Sequence, residues 1–318
     1  MNTLKICALA LLLAAGAAHA QQWPSQPIKL IVPFPAGGGT DLVGRAIAKG
    51  MAEGLGQPVV VDNRGGAGGT IGSEIVARAT PDGYTLGIAT SSTHPTSVVL
   101  MKSVPYDPVK SFAPVTMIGK TAYVLIASPT LPATSMSEFV AYARANPGKL
   151  NFASVGVSTL GYLITRQMLI DAGINMVHVP YKGSAEVYPA LISGDVAIEF
   201  DNPSASAGMV KSGRLRVFGT TLKTSLMPTA PEFADIGYKN LDTTFWYGIV
   251  APAGTPKAIV DRIQAAVAKY VASPEGRKVL DSAGIEPVGD TPEEFGAIIA
   301  RDNARAQALA DKLGIKPE

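Results

Sequence analysis

Only one cysteine occurs in the 318 residues, Cys7, and it lies inside an N-terminal apolar stretch. A chain that sheds that stretch keeps no thiol, which excludes disulfides, thiolate nucleophiles and cysteine metal sites together. Histidine is nearly as scarce, and past the same stretch only His94 and His178 remain. They are far apart in the chain, with no His-Glu-x-x-His helix and no other legible metal cluster. A Gly-x-Ser-x-Gly elbow is missing too, so a hydrolase nucleophile lacks its usual setting. Charged residues make up 16% of the chain with a formal net charge of +2, and no basic run appears. That balance argues against a nucleic-acid partner. Beyond Gln21 no apolar run is long enough to cross a bilayer, and there is neither an internal repeat nor a low-complexity tract.

The first twenty residues read as an export signal rather than as fold. Lys5 supplies a short positive segment, Ile6 to Ala15 an apolar core, and Ala18-His19-Ala20 a small-x-small site for cleavage after Ala20. Cys7 is not at the cleavage point, so a lipid-anchored form is not suggested. The remainder, about 300 residues, is long enough for two compact domains.

The most informative stretch runs from Ile28 to Asp41. Ile28 to Val32 is an apolar, β-branched run that predicts a buried strand. Pro33 and Pro35 end it, since each lacks the N–H that a ladder needs. Gly37, Gly38 and Gly39 follow, and then Thr40, a candidate N-cap, and Asp41 open an amphipathic helix. Strand, bare backbone and helix N-terminus then point at one spot, which makes an anion seat; a plain strand-to-helix turn is the alternative. Nucleotide binding is disfavoured. The dinucleotide fingerprint fails because Leu42 stands where its third glycine belongs, and the P-loop fails because Asp41 replaces its lysine.

Past this point strand and helix patterns alternate. Strands are expected over 28–32, 59–62, 85–89, 123–127, 150–153, 176–179, 196–200, 215–220 and 245–250. Helices are expected near 41–55, 70–79, 136–146, 159–171, 184–193, 204–212, 256–271, 274–283 and 292–312. Ser135-x-x-Glu138 and Thr291-x-x-Glu294 read as capping boxes, and Pro256, Pro274 and Pro292 as first helical positions. The pattern predicts an α/β fold with two mainly parallel sheets and a ligand cleft between them. Two further loops at strand ends, Thr90 to His94 (including Ser91 and Thr93) and Ser154 to Thr159, offer hydroxyls and free amides without Lys or Arg. They suit a carboxylate, although each alone reads sooner as ordinary Ser/Thr capping than as a site. The second glycine-rich stretch, Asp62 to Thr70, reads as a structural turn or a partner surface before a ligand site. His178 falls in an apolar strand as a core residue, His94 is a candidate donor to a ligand, and Glu199 with Asp201 share a strand face without arguing for catalysis.

Taken in order, several stretches resemble the Bug-type receptors, the periplasmic substrate-binding proteins of tripartite tricarboxylate transporters. They are Val-Pro-Phe-Pro-Ala-Gly-Gly-Gly-Thr-Asp41, Val-Asp-Asn-Arg-Gly-Gly-Ala-Gly-Gly69, Pro-Asp-Gly-Tyr84, Val-Pro-Tyr-Lys-Gly183, Leu-Ile-Ser-Gly-Asp-Val196 and Ala-Pro-Ala-Gly-Thr-Pro256. The resemblance implies a type II periplasmic binding-protein fold, with one domain over 21–118 plus 245–318 and a second over 119–244. It implies a periplasmic, monomeric, non-enzymatic receptor without cofactor or metal, which delivers a small di-, tri- or aromatic carboxylate to membrane permease subunits. The same fold could instead report to a histidine kinase; a periplasmic enzyme acting on a carboxylic acid is the least favoured reading. By motif the ligand loops are Phe34, Pro35, Ala36, Gly37, Gly38, Gly39, Thr40 and Asp41 on one side, and Ser154, Val155, Gly156, Val157, Ser158 and Thr159 on the other. Ser91, Thr93, His94, Tyr181 and Asp201 are added as family positions near the cleft. The second loop departs from the family's usual Ser-Ser/Thr-Gly-Asn-Gly-Ser/Thr, and Tyr162 stands where a histidine is common. Val155 and Val157 make it more apolar, which predicts a ligand with apolar bulk, such as an aromatic or longer-chain carboxylate.

Overall fold

The computed structural model describes residues 23–241 and 243–317, so the expected export segment lies outside it. The chain opens with β1 Ile28–Val32, α1 Gly39–Leu55, β2 Val59–Asn63, α2 Thr70–Ala77 and β3 Thr85–Thr90. A helical turn over Ser92–Thr96 continues into the short α3 Ser97–Leu100, and β4 Phe112–Thr121 and β5 Val124–Ala127 follow. Next come α4 Met136–Ala145, β6 Asn151–Ser154, α5 Leu160–Ala172, β7 Val177–Pro180, α6 Ser184–Ser193, β8 Ile198–Asp201, α7 Pro203–Lys211 and β9 Arg216–Thr220. The chain closes with β10 Phe245–Pro252, α8 Lys257–Ala272, α9 Pro274–Ser282, β11 Glu286–Pro287 and α10 Pro292–Lys312.

These strands form two sheets, with the orders β11-β4-β10-β3-β1-β2 and β7-β6-β8-β5-β9. Each sheet is built on a parallel trio, β2-β1-β3 in one and β7-β6-β8 in the other. Antiparallel strands complete them: β10, β4 and β11 in the first, β5 and β9 in the second. In β1, Ile28, Leu30, Ile31 and Val32 are all buried and only Lys29 is exposed, which fits a strand covered on both faces.

The chain passes between the sheets twice, and the two crossings are tied together. Tyr123 N donates to Thr221 Oγ1 at 2.9 Å, and Thr221 N donates to the Tyr123 carbonyl at 2.8 Å. Phe245, the first residue of the returning strand, pairs with Thr121.

Two strands, β4 and β11, were not expected from the sequence. β4 hides behind Pro114, which a ladder tolerates because β11 covers only Gly119 and Lys120, leaving the far edge of β4 open at the proline. A register shift on β10 between Ile249 and Val250 falls beside it. β11 is two residues long, too short for any periodicity. Helix starts differ in detail. Pro274 and Pro292 open their helices, and Thr291 with Glu294 forms a full capping box. Pro256 is instead an N-cap position, and Glu138 accepts from Thr134 rather than from Ser135. Among the described residues no helix is long and apolar enough to cross a membrane.

Candidate functional site

A cavity of about 40 Å³ lies between the sheets. Phe34, Pro35, Ala36, Gly38, Gly39 and Thr40 from the β1–α1 loop line it from the first sheet. From the second sheet come Val155, then Gly183, Ser184 and Ala185 at the start of α6, and Asn202 just before α7; Ser92, Tyr123 and Phe245 complete it. The lobes touch here. A Cβ added to Gly39 would stand 2.8 Å from Ser204 Oγ and 3.2 Å from Asn202 Cβ, and one on Gly183 would stand 3.1 Å from Pro35.

Three helices begin at this cavity. Their N-caps are Gly38, Gly183 and Asn202, and none is capped by a side-chain hydrogen bond. By contrast Ser135, Thr159, Ser273 and Thr291 cap α4, α5, α9 and α10 with their hydroxyls. The starts of α1 and α6 therefore keep their first two N–H groups available, α7 keeps that of Ser204 because Pro203 has none, and the three dipoles add partial positive charge. No Lys or Arg lines the cavity. The arrangement can hold an anion by backbone amides alone.

The β1–α1 loop is braced from behind. Asp41, expected among the ligand contacts, is buried outside the cavity wall. Its carboxylate accepts from Gly37 N, Arg45 Nε and Asn63 Nδ2, each at 3.0 Å. Burial pushes this carboxyl up, but hydrogen bonds from Arg45, Gly37 and Asn63 and the Arg45 charge outweigh it and hold it below the usual carboxylate range. Thr40 is not the N-cap; Gly38 is, which places Thr40 in the first turn, on the wall.

Of the second loop only Val155 reaches the cavity. Ser154 Oγ lies 2.7 Å from His178 Nε2 and accepts from Gly156 N. Thr159 caps α5, and Ser158 Oγ donates to the Ala67 carbonyl. Gly156 and Val157 stand outside the wall, as do Gly37 and Tyr181; the Tyr181 amide donates to the Ser154 carbonyl at 2.8 Å. After Thr90 ends β3, the chain coils from Ser92 into a helical turn rather than an open loop, and this turns neighbouring side chains in different directions. Ser92 takes the wall and accepts from Leu160 N at 3.1 Å. Ser91 accepts from Trp246 N, and Thr93 bonds to Thr90. His94 is 1% exposed and packs on Phe112, with ring centroids 4.5 Å apart. Burial pushes its pKa down to about 3, so the ring is neutral and away from the cavity.

Asp201 also stands behind the wall. Its carboxyl accepts from Ser184 Oγ at 3.0 Å and from Tyr188 OH at 2.9 Å, which fixes the start of α6. Burial pushes its pKa up, and the bonds from Tyr188 and Ser184 offset part of that. Glu199, on the same strand face, has no hydrogen-bond partner at either oxygen, and burial together with the Asp201 charge raises its pKa well above the usual value.

Residues 43–315 match the family model described as tripartite tricarboxylate transporter family receptor. The chain belongs to that family. BugT of Bordetella pertussis is 34% identical over 308 residues, covering 95% of this chain and 94% of BugT. An R. palustris protein solved with adipate superimposes with a TM-score of 0.89 at 33% identity, covering 93% of this chain and 100% of that one. MatC from Rhodopseudomonas palustris, solved with malate, gives a TM-score of 0.86 at 28% identity, over 90% and 99%. The Bug-type receptor family and its two-lobed α/β fold are thus those that the sequence motifs indicated.

Sequence reasoning passed over several wall residues of this receptor: Ser92, Tyr123, Gly183, Ser184, Ala185, Asn202 and Phe245. A signal existed for one helix start. Asn202-Pro203 is an N-cap followed by proline at the first helical position, which should have turned attention from Asp201 to its neighbour. Tyr123 and Phe245 carry no such mark, because they reach the cavity only through the strand crossings.

Proposed function

We propose that this receptor captures a small carboxylate between its lobes in the periplasm and delivers it to membrane subunits of a tripartite transporter. The observation that carries the reading is the convergence of three helix N-termini, all without side-chain caps, on a cavity lined by neither Lys nor Arg. Such a seat favours a carboxylate satisfied by backbone donors. Buried at the wall, Asn202 Oδ1 has no hydrogen-bond partner and can accept from a ligand O–H or N–H. That structures of the relatives were solved with adipate and malate supports the carboxylate class.

Phe34, Phe245 and Val155 give the walls apolar character, which favours an acid with an aromatic or longer-chain body. About 40 Å³ admits a head group only, so the ligand body is accommodated with the lobes farther apart. The lobes, taken as 21–118 plus 245–318 and 119–244, would swing about the crossings at Tyr123 and Thr221. Export would remove residues up to Ala20.

Thermal melting against tri-, di- and aromatic carboxylates, with matched amides and phosphate as controls, tests the reading. A ligand at one hundred times its dissociation constant adds about 2.7 kcal/mol, which moves the midpoint by several degrees. Stabilisation by some carboxylates and by none of their amides is the expected result. Equal shifts with acid and amide would refute it.

A further inference from the structure

A second, larger concavity lies apart from the carboxylate seat, where α10 faces α5 and the returning chain. Its volume is about 790 Å³, within the range of small-molecule sites. Its lining is amphipathic. Val288, Ile298 and Leu309 present its accessible apolar surface over the buried Trp246 and Leu163, while Lys120, Lys239, Arg301, Arg305 and Lys312 supply five cationic side chains against one carboxylate, Asp302.

The charges are not cancelled locally. Asp302 is held by Arg301 and by Trp246 Nε1, and Lys120 reaches Glu286 at 3.1 Å. Among the described residues Lys239, Arg305 and Lys312 have no ion-pair partner, and all three are exposed. Arg305 and Lys312 are seven residues apart on α10 and so share a face. A second observation comes from Gln167, which lines the groove and is only 1% exposed. Its Nε2 donates to Asp171 Oδ1, but its Oε1, also buried, has no hydrogen-bond partner. A buried amide oxygen left this way calls for a donor.

We propose that this groove is a second binding site, for an amphipathic organic anion whose acidic group meets Arg305, Lys312 and Lys239 while its apolar body lies along Val288, Ile298 and Leu309. The size of the concavity, its apolar lining and its uncompensated cations together favour a small molecule over a protein segment. The site is independent of the carboxylate seat and stands whether or not that seat is used as proposed.

The test is titration of the intact protein with 8-anilinonaphthalene-1-sulfonate, an amphipathic anion whose fluorescence rises in apolar sites. Saturable binding of one probe per chain is expected, with displacement by decanoate but not by decanamide. The exposed charge reversals Arg305→Glu and Lys239→Glu, alone and together, should weaken it at least tenfold while the melting temperature stays within about two degrees. Gln167→Leu, which keeps every cation, should weaken displacement by 3-hydroxydecanoate more than by decanoate. Probe binding insensitive to the charge reversals, as for a probe in the carboxylate seat, would overturn the proposal. Displacement by polyglutamate but not by decanoate would overturn it in favour of an acidic protein segment.

Discussion

Ser158 Oγ donates a 3.1 Å hydrogen bond to the Ala67 carbonyl, joining the loop after β6 in one lobe to the second glycine-rich stretch in the other. That stretch meets the second lobe through Ala67 and Gly68, while Arg64 stays exposed beside Asp62. Gly68 adopts φ +63°, and a Cβ placed on it would stand 1.9 Å from Ser158 Oγ. One on Gly156 would stand 3.0 Å from Gly68 Cα, so two bare backbones meet. The glycines allow the lobes to close.

Gly68→Ala should therefore hold the lobes apart. Carboxylate affinity is expected to fall at least tenfold, about 1.4 kcal/mol, by calorimetric titration. The unliganded melting temperature should fall by only a few degrees, the cost of about 1–2 kcal/mol for alanine at φ +63°, so a larger loss of affinity reports the clash between lobes. Unchanged affinity would show that closure does not need this contact.

Val155 tests ligand class. It is the only residue of the second loop on the cavity wall, and its side chain is wholly apolar. Val155→Ser should weaken an adipate-like acid by about 1 kcal/mol, roughly fivefold, and leave a hydroxy acid such as malate unchanged or tighter. Equal losses for both acids would sink the idea that this position selects for apolar bulk.

How far the sequence could be read depended on range. The β1–α1 seat was legible because its signals are local: an apolar run, two prolines and three glycines in order. The strand pattern of β5 to β9 was legible for the same reason. What escaped depends on distant pairing. β4 is a strand because β10 lies beside it, despite Pro114. Tyr123 and Phe245 reach the cavity because two crossings meet there, and Ser92 rather than Ser91 does so because the segment coils. Asp41 and Asp201 were found as residues near the site, but their bonds make them braces for Gly37 and Ser184 rather than wall residues.

His94 should be separable from binding. Its ring lies between Phe112 and Tyr106, with Nδ1 3.1 Å from Thr93 Oγ1, and is not on the cavity wall. Burial lowers its pKa from 6.5 to about 3. Below pH 6.5 the unfolded chain thus takes up a proton that the folded one refuses, and stability falls toward acid by up to about 1.4 kcal/mol per pH unit. His94→Leu should lose this component, giving a shallower decline between pH 6.5 and 4 in urea melts. Its carboxylate affinity should stay within threefold; a tenfold loss would place the ring in the binding machinery.

Glu199 has the opposite sign. It is 1% exposed, faces Ile126 across the β5–β8 pair, and shares its face with Asp201. Burial first, and then the Asp201 charge, raise its pKa well above 4.5. A carboxyl raised on folding stabilises fully below the unfolded value and loses that contribution as pH climbs toward the folded one. Glu199→Gln keeps the shape of the neutral acid and cannot ionise. Its stability should equal that of the natural chain near pH 4 and exceed it progressively toward pH 8, by up to about 1.4 kcal/mol per pH unit until the raised pKa is reached. Urea melts at pH 4, 6 and 8 decide it. Parallel curves for the two proteins would mean that Glu199 is ionised in the fold, with a cation or water reaching it between α6 and the sheet.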